Sequence, residues 1–188
     1  MKIFINPGHM PNVDSGAVNE HLILRECDIA LSIGNLLAHK LKITGHKVKL
    51  LQSNNLCGES PDYPNICAIA NNWQADIFIS LHCNAFNTKA RGTETLCYNK
   101  NSNAGALAQL IQLQLINSLQ NFDAALPDRG IKQRPDLAVL RCTTMPAILI
   151  EMAFIDNDND ALLLINKQDT IAAAISRGIT DYDAQLHC

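Results

Sequence analysis

The chain has 188 residues, a net charge of −3 and 47% apolar side chains. That balance predicts a globular fold with a sizeable core and excludes a disordered chain. The lack of a basic run argues against nucleic acid as the main partner, and no apolar stretch is long enough to span a membrane.

Met1-Lys2-Ile3-Phe4-Ile5-Asn6 is too short and too quickly polar for a signal peptide, and it reads as a first strand near 2–6. Pro7-Gly8 stops that strand at a tight turn and leaves His9 at its carboxyl end, where open α/β sheets bind ligands. A polar loop follows over 10–25. From Glu26, the residues Ile29, Ala30, Ile33, Leu37 and Leu41 recur at helical spacing until Gly45. A strand is expected near 46–51 and a helix near 60–74. The apolar run Ile77-Phe78-Ile79-Ser80-Leu81 predicts a strand over 76–82 that ends in His82. A strand near 92–98 precedes a helix marked by Ala104, Leu107, Ala108, Ile111 and Leu115. Residues 120–138 read as a second long loop, with Pro127-Asp128-Arg129-Gly130-Ile131-Lys132 as a ligand-contacting turn. Short strands near 139–141 and 147–152 follow, and Glu151 ends the apolar run Ala147–Ile150. Helices near 158–166 and 168–182 complete the pattern.

Strands alternating with helices predict an α/β fold. The expected architecture is a single domain over 1–188, with a mostly parallel six-stranded twisted sheet and helices on both faces. Seven cysteines form no Cys-x-x-Cys pair, so free thiols in a cytosolic protein are expected rather than a disulfide framework. Cys83 adjoins His82, but adjacent strand residues point to opposite faces, so Cys83 reads as a small buried hydrophobe.

His9, His82 and Glu151 thus fall at three strand ends, as one site assembled from distant sequence would. Catalytic zinc usually takes three protein ligands and leaves a position open. His9 and His82 supply two. Glu26, at the inward rim of its helix, is the candidate third, with Glu20 and Asp14 as competitors. Glu151, partly desolvated, is suited to proton transfer beside the ion.

Asn6-Pro7-Gly8-His9 and Asp14-Ser15-Gly16-Ala17 resemble the opening of the zinc-dependent N-acetylmuramoyl-L-alanine amidases of the amidase-3 class. The resemblance continues through Leu24-Arg25-Glu26, Ala75–Ala85, Gly92-Thr93-Glu94-Thr95, Asp128–Lys132 and Pro146–Asn157. It implies one Zn2+ per chain held by His9, Glu26 and His82, with Glu151 as the catalytic glutamate. It also implies hydrolysis of the amide between N-acetylmuramic acid and L-alanine, in peptidoglycan or in muropeptides. Asn6 stands where the family commonly has Asp, a position suited to orienting a ligating histidine. Only Leu96–Asn103 separates the Gly-Thr-Glu strand from the next helix, too short for the site-blocking insertion of some relatives.

Two other readings carry different chemistry: a non-catalytic peptidoglycan-binding module, and a zinc carboxypeptidase whose carboxylate anchor is Arg129 or Arg134. The expectations for the whole chain are a monomer with no separate wall-binding domain. Synthesis without a leader predicts a cytoplasmic enzyme, or one released by lysis, acting on the cell wall or in the periplasm.

Overall fold

The computed structural model describes residues 1–187; Cys188, one of the seven thiols, lies outside the described residues. Strand β1 (Lys2–Pro7) is followed by a small hairpin, β2 (Val18–Asn19) and β3 (Leu24–Arg25). Next come α1 (Glu26–Ile43), β4 (Lys47–Leu50), α2 (Ile66–Asn72), β5 (Ile77–Asn84), β6 (Thr93–Cys97) and α3 (Asn103–Gln120). The remaining elements are β7 (Asp128–Gln133), α4 (Ala138–Arg141), β8 (Ala147–Phe154), α5 (Asp158–Asn166) and α6 (Gln168–Leu186).

Six strands form one sheet in the order β4-β1-β5-β8-β6-β7. β4, β1, β5 and β8 run parallel, while β6 pairs antiparallel to β8 and carries β7 parallel to itself. The central strands are continuous apolar runs because both of their faces are buried. Ile3, Ile5, Ile79 and Ile150 pack on one face against residues of α1, α3 and α6. Phe4, Phe78 and Leu149 pack on the other, against α2 and α4. There the Phe4 and Phe78 rings stack with centroids 5.5 Å apart. One face thus carries a thick helical layer, and the other carries two short helices.

The long helices follow the predicted spacing. α1 buries Ile29, Ala30, Ile33, Leu37 and Leu41 as one stripe. Gly45 then takes φ 88°, a left-handed turn that suits glycine. Gly178 lets α6 approach α3 closely, since a Cβ there would lie 2.7 Å from the Ile111 Cα. Gly178→Ala should therefore destabilise the fold by about 1–3 kcal/mol, as overpacking does. Denaturant unfolding checks this; an unchanged midpoint would mean that α6 can shift freely.

Three expectations need correction. Glu151 lies within its strand rather than at its end, because the apolar residues Met152, Ala153 and Phe154 carry β8 on to Phe154. Residues 139–141 form helix α4, not a strand. The short apolar run Val139-Leu140 carries no period, and a helical turn buries both side chains beneath the sheet. The predicted loop 120–138 holds strand β7; as an edge strand of charged residues it shows no apolar alternation in the sequence. The other predicted loop, 10–25, carries the β2–β3 hairpin. The six described cysteines are unpaired, and Cys83 is buried in the core. Among the described residues, no helix is long and apolar enough to cross a membrane.

Candidate metal centre

β1 and β5 are neighbours, with Pro7 opposite Leu81, so their carboxyl ends bring His9 and His82 together. The next strand places Glu151 opposite His82. Side chains alternate along a strand, so His82 and Glu151 share the face of Phe78 and Leu149, the side with the thin helical layer. His9 itself sits at φ 60°, a conformation that is uncommon for residues other than glycine and concentrates at functional sites.

Glu26 reaches the same point from the first turn of α1. Its backbone N–H donates to Ala17 O at 2.9 Å, and that of Cys27 donates to Ser15 O at 3.1 Å, which ties the helix start to the 10–25 segment. The Glu26 carboxylate is buried. Oε1 lies 2.9 Å from His82 Nδ1 and accepts from Cys83 N–H at 2.9 Å. Oε2 lies 3.1 Å from His9 Nε2 and accepts from Ala17 N–H at 2.8 Å. One ligand atom from each of His9, Glu26 and His82 lies within 4.8 Å of the others, a set able to hold a metal ion.

Two glycines make room for this cluster. A Cβ on Gly8 would lie 2.4 Å from His82 Cε1. One on Gly16, at φ 66°, would lie 2.5 Å from both Glu26 Oε2 and His9 Cδ2. Only glycine lets the rings and the carboxylate approach so closely.

The electrostatics match a cation site. The hydrogen bond to Glu26 raises His9 to about 9, against an opposing contribution from burial and with help from Asp14. Burial alone would raise Glu26, but the hydrogen bonds to His82 and His9 outweigh it and hold the carboxyl below its usual range.

The two competitors for the third position lie elsewhere. Asp14 Oδ2 sits 2.7 Å from His9 Nδ1, the far side of the ring, while its Oδ1 accepts from Gly16 N–H at 2.9 Å. Asp14 therefore orients the imidazole, a role expected of Asn6. Asn6 is instead a buried brace. It donates to Leu51 O at 3.2 Å and accepts from Ser80 Oγ at 3.0 Å. Glu20 lines a separate cavity of about 630 Å³ with His21 and Asp158.

Glu151 stands between His82 on β5 and Glu94 on β6. Its Oε2 is buried with no hydrogen-bond partner among the described residues. A buried carboxylate oxygen without a donor is uncommon and marks a place where chemistry or an unseen partner is served. Burial raises Glu151 to about 7; His82 opposes this, while Glu26 and Glu94 add to it. Glu94 had no role assigned from sequence. It accepts from Asn84 Nδ2 at 2.9 Å and from Arg129 Nε at 3.0 Å. A glutamate inside the otherwise apolar and Thr-rich run of β6 was the signal that could have flagged it. The short connection 98–102 leaves β6 at the opposite edge of the sheet and so does not cover the site.

Two histidines and a carboxylate beside a partly protonated glutamate suit metal-assisted hydrolysis. The family model described as N-acetylmuramoyl-L-alanine amidase matches residues 3–181.

The chain belongs to the amidase-3 family.

As an amidase-3 domain it is a hydrolase. It is 36% identical to the uncharacterised protein YqiI of Bacillus subtilis, covering 96% of this chain and 84% of that protein. It is 34% identical to the N-acetylmuramoyl-L-alanine amidase LytC of Bacillus subtilis, covering 96% of this chain but only 35% of the relative. Among solved structures, an N-acetylmuramoyl-L-alanine amidase from Clostridium difficile matches with a TM-score of 0.80 and 31% identity, over 96% of this chain and 95% of that one.

Proposed function

We propose that this amidase-3 chain binds one zinc ion through His9, Glu26 and His82 and cleaves the amide between N-acetylmuramic acid and the L-alanine of a peptidoglycan stem. The observation that carries the reading is the three-ligand cluster beside a half-buried Glu151 with an unpartnered oxygen. The donor set fits zinc, because two imidazoles and one carboxylate are an established catalytic combination.

Zinc bound there supplies Lewis acidity, which polarises a carbonyl and makes a water molecule more acidic. The chain's own groups do the rest. Asp14 holds the His9 ring, and Cys83 and Ala17 N–H groups hold Glu26. Glu151, as carboxylate, takes a proton from the attacking water. It then delivers that proton to the leaving nitrogen as the carbon–nitrogen bond breaks. The products are a lactyl carboxylate on the sugar and a free amino group on alanine. That pair distinguishes the amidase from a carboxypeptidase, which would shorten the peptide, and from a binding module, which would release nothing. The site of action is the cell wall. Mass analysis of a muropeptide digest is the direct test.

The pH dependence of zinc affinity follows from His9. Zinc takes the neutral imidazole, so binding expels the proton that His9 keeps up to about pH 9 through its hydrogen bond to Glu26. The apparent affinity should fall by up to about tenfold for each unit that the pH drops below 9, with proton release on binding. Calorimetry in buffers of different ionisation enthalpy measures both. Affinity that is flat between pH 9 and 7 would mean that His9 carries no proton for zinc to expel in that range.

A further inference from the structure

The catalytic scheme leaves Arg129 unused. Its place follows from the strand order. His82 on β5, Glu151 on β8, Glu94 on β6 and Arg129 on β7 lie in sequence across one end of the sheet. Arg129 Nε donates to Glu94 Oε2 at 3.0 Å, and its guanidinium carbon lies 5.0 Å from the centroid of the Phe154 ring. Phe154 reaches this face because the β5–β8 register slips by one residue between the pairs His82–Glu151 and Asn84–Phe154.

These two contacts fix the guanidinium while using one of its five donors. The four Nη donors have no hydrogen-bond partner among the described residues, and the side chain is 38% exposed. They border a cavity of about 570 Å³ lined by Asn84, Phe86, Lys89, Glu94 and Phe154. An ordinary surface ion pair would explain the contact with Glu94 alone. It would not explain a guanidinium clamped between a buried carboxylate and a buried ring, with its forked edge left open on a cavity beside the reacting centre. A held fork of this kind is preorganised for bidentate binding of a carboxylate. Arg134, the other cation considered from sequence, is already taken, since Asp136 binds it at 3.0 and 2.8 Å.

Distance narrows the ligand. Neighbouring strands lie about 4.8 Å apart, and Arg129 reaches back to Glu94, so its head is roughly 5–10 Å from the Glu151 carboxylate. An extended peptide advances about 3.3–3.6 Å per residue. The guanidinium therefore stands about two residues from the scissile amide. We propose that Arg129 is a specificity-determining residue that binds the free α-carboxylate of the second residue of the stem peptide. This rests on the amidase reading above.

The test compares two soluble substrates with the zinc-loaded protein: N-acetylmuramoyl-L-alanyl-D-glutamate, and the same compound with the glutamate α-carboxyl converted to its amide. Wild type should favour the free carboxylate in kcat/KM by about tenfold or more, the range for a charged hydrogen-bond pair. Arg129→Gln should bring the ratio close to one. Arg129→Lys should fall between, because lysine keeps the charge and loses the fork. If Arg129→Gln fails to fold with Glu94 left unpaired, the double variant Arg129→Gln/Glu94→Gln gives the same readout. A wild-type ratio near one overturns the proposal, as does a variant that slows both substrates and keeps the wild-type ratio. Digestion of whole sacculi with neither soluble compound cleaved also overturns it, yet leaves the amidase reading standing. Cleavage of none of the three overturns the amidase reading, and this proposal with it.

Discussion

Glu151→Gln should keep its zinc and lose turnover by a factor on the order of 10²–10⁴, the range for a positioned acid–base group. Glutamine matches glutamate in size but cannot carry the proton from water to the leaving nitrogen. Glu151 lies opposite His82 without a hydrogen bond to any of the three clustered residues, so the metal should stay. The substitution also removes the charge of a buried group that burial already pushes toward neutrality, so folding should not suffer. Substrate affinity should change little, because the lost interaction belongs mainly to the transition state. Zinc analysis and steady-state kinetics on the same preparation decide the matter. Loss of zinc would make Glu151 a ligand, and unchanged turnover would remove it from the mechanism.

Removal of the metal should abolish activity, and Glu26→Ala should do so irreversibly. A chelator should inactivate the wild type, and added zinc should restore it. His9→Ala and His82→Ala should each lose zinc while folding. Glu26→Ala carries a second cost. Its carboxylate accepts from the backbone N–H groups of Cys83 and Ala17, which bind β5 and the 10–25 segment to the start of α1. An orphaned buried donor costs about 1–3 kcal/mol. This variant should therefore melt below either histidine variant, all three compared without metal. Equal melting of the three would assign Glu26 to metal binding alone. Normal zinc affinity in Glu26→Ala would place the third ligand elsewhere.

Much of the site could be read from the chain. His82 closes an apolar run, His9 follows one across the Asn6-Pro7-Gly8 turn and Glu151 interrupts one, and such runs announce buried strands whatever lies around them. Glu26 could be placed because the stripe Ile29, Ala30 and Ile33 fixes which face of its helix turns inward. The partner of His9 could not. Asn6 and Asp14 are both short polar residues near the turn, and the choice depended on His9 taking φ 60°, which swings its ring toward Asp14. The sequence by itself determined the α/β class and the long helices, because local periodicity does not depend on distant partners, and it offered His9, Glu26, His82 and Glu151 as candidates that the structure brings close together. Tertiary structure alone decided that Asp128–Gln133 is a strand, that Val139-Leu140 is helical, and that Glu94 lies beside Glu151 and binds Arg129. These follow from β6 entering antiparallel beside β8 and carrying β7 at its edge, a pairing between segments far apart in the chain that no local pattern encodes.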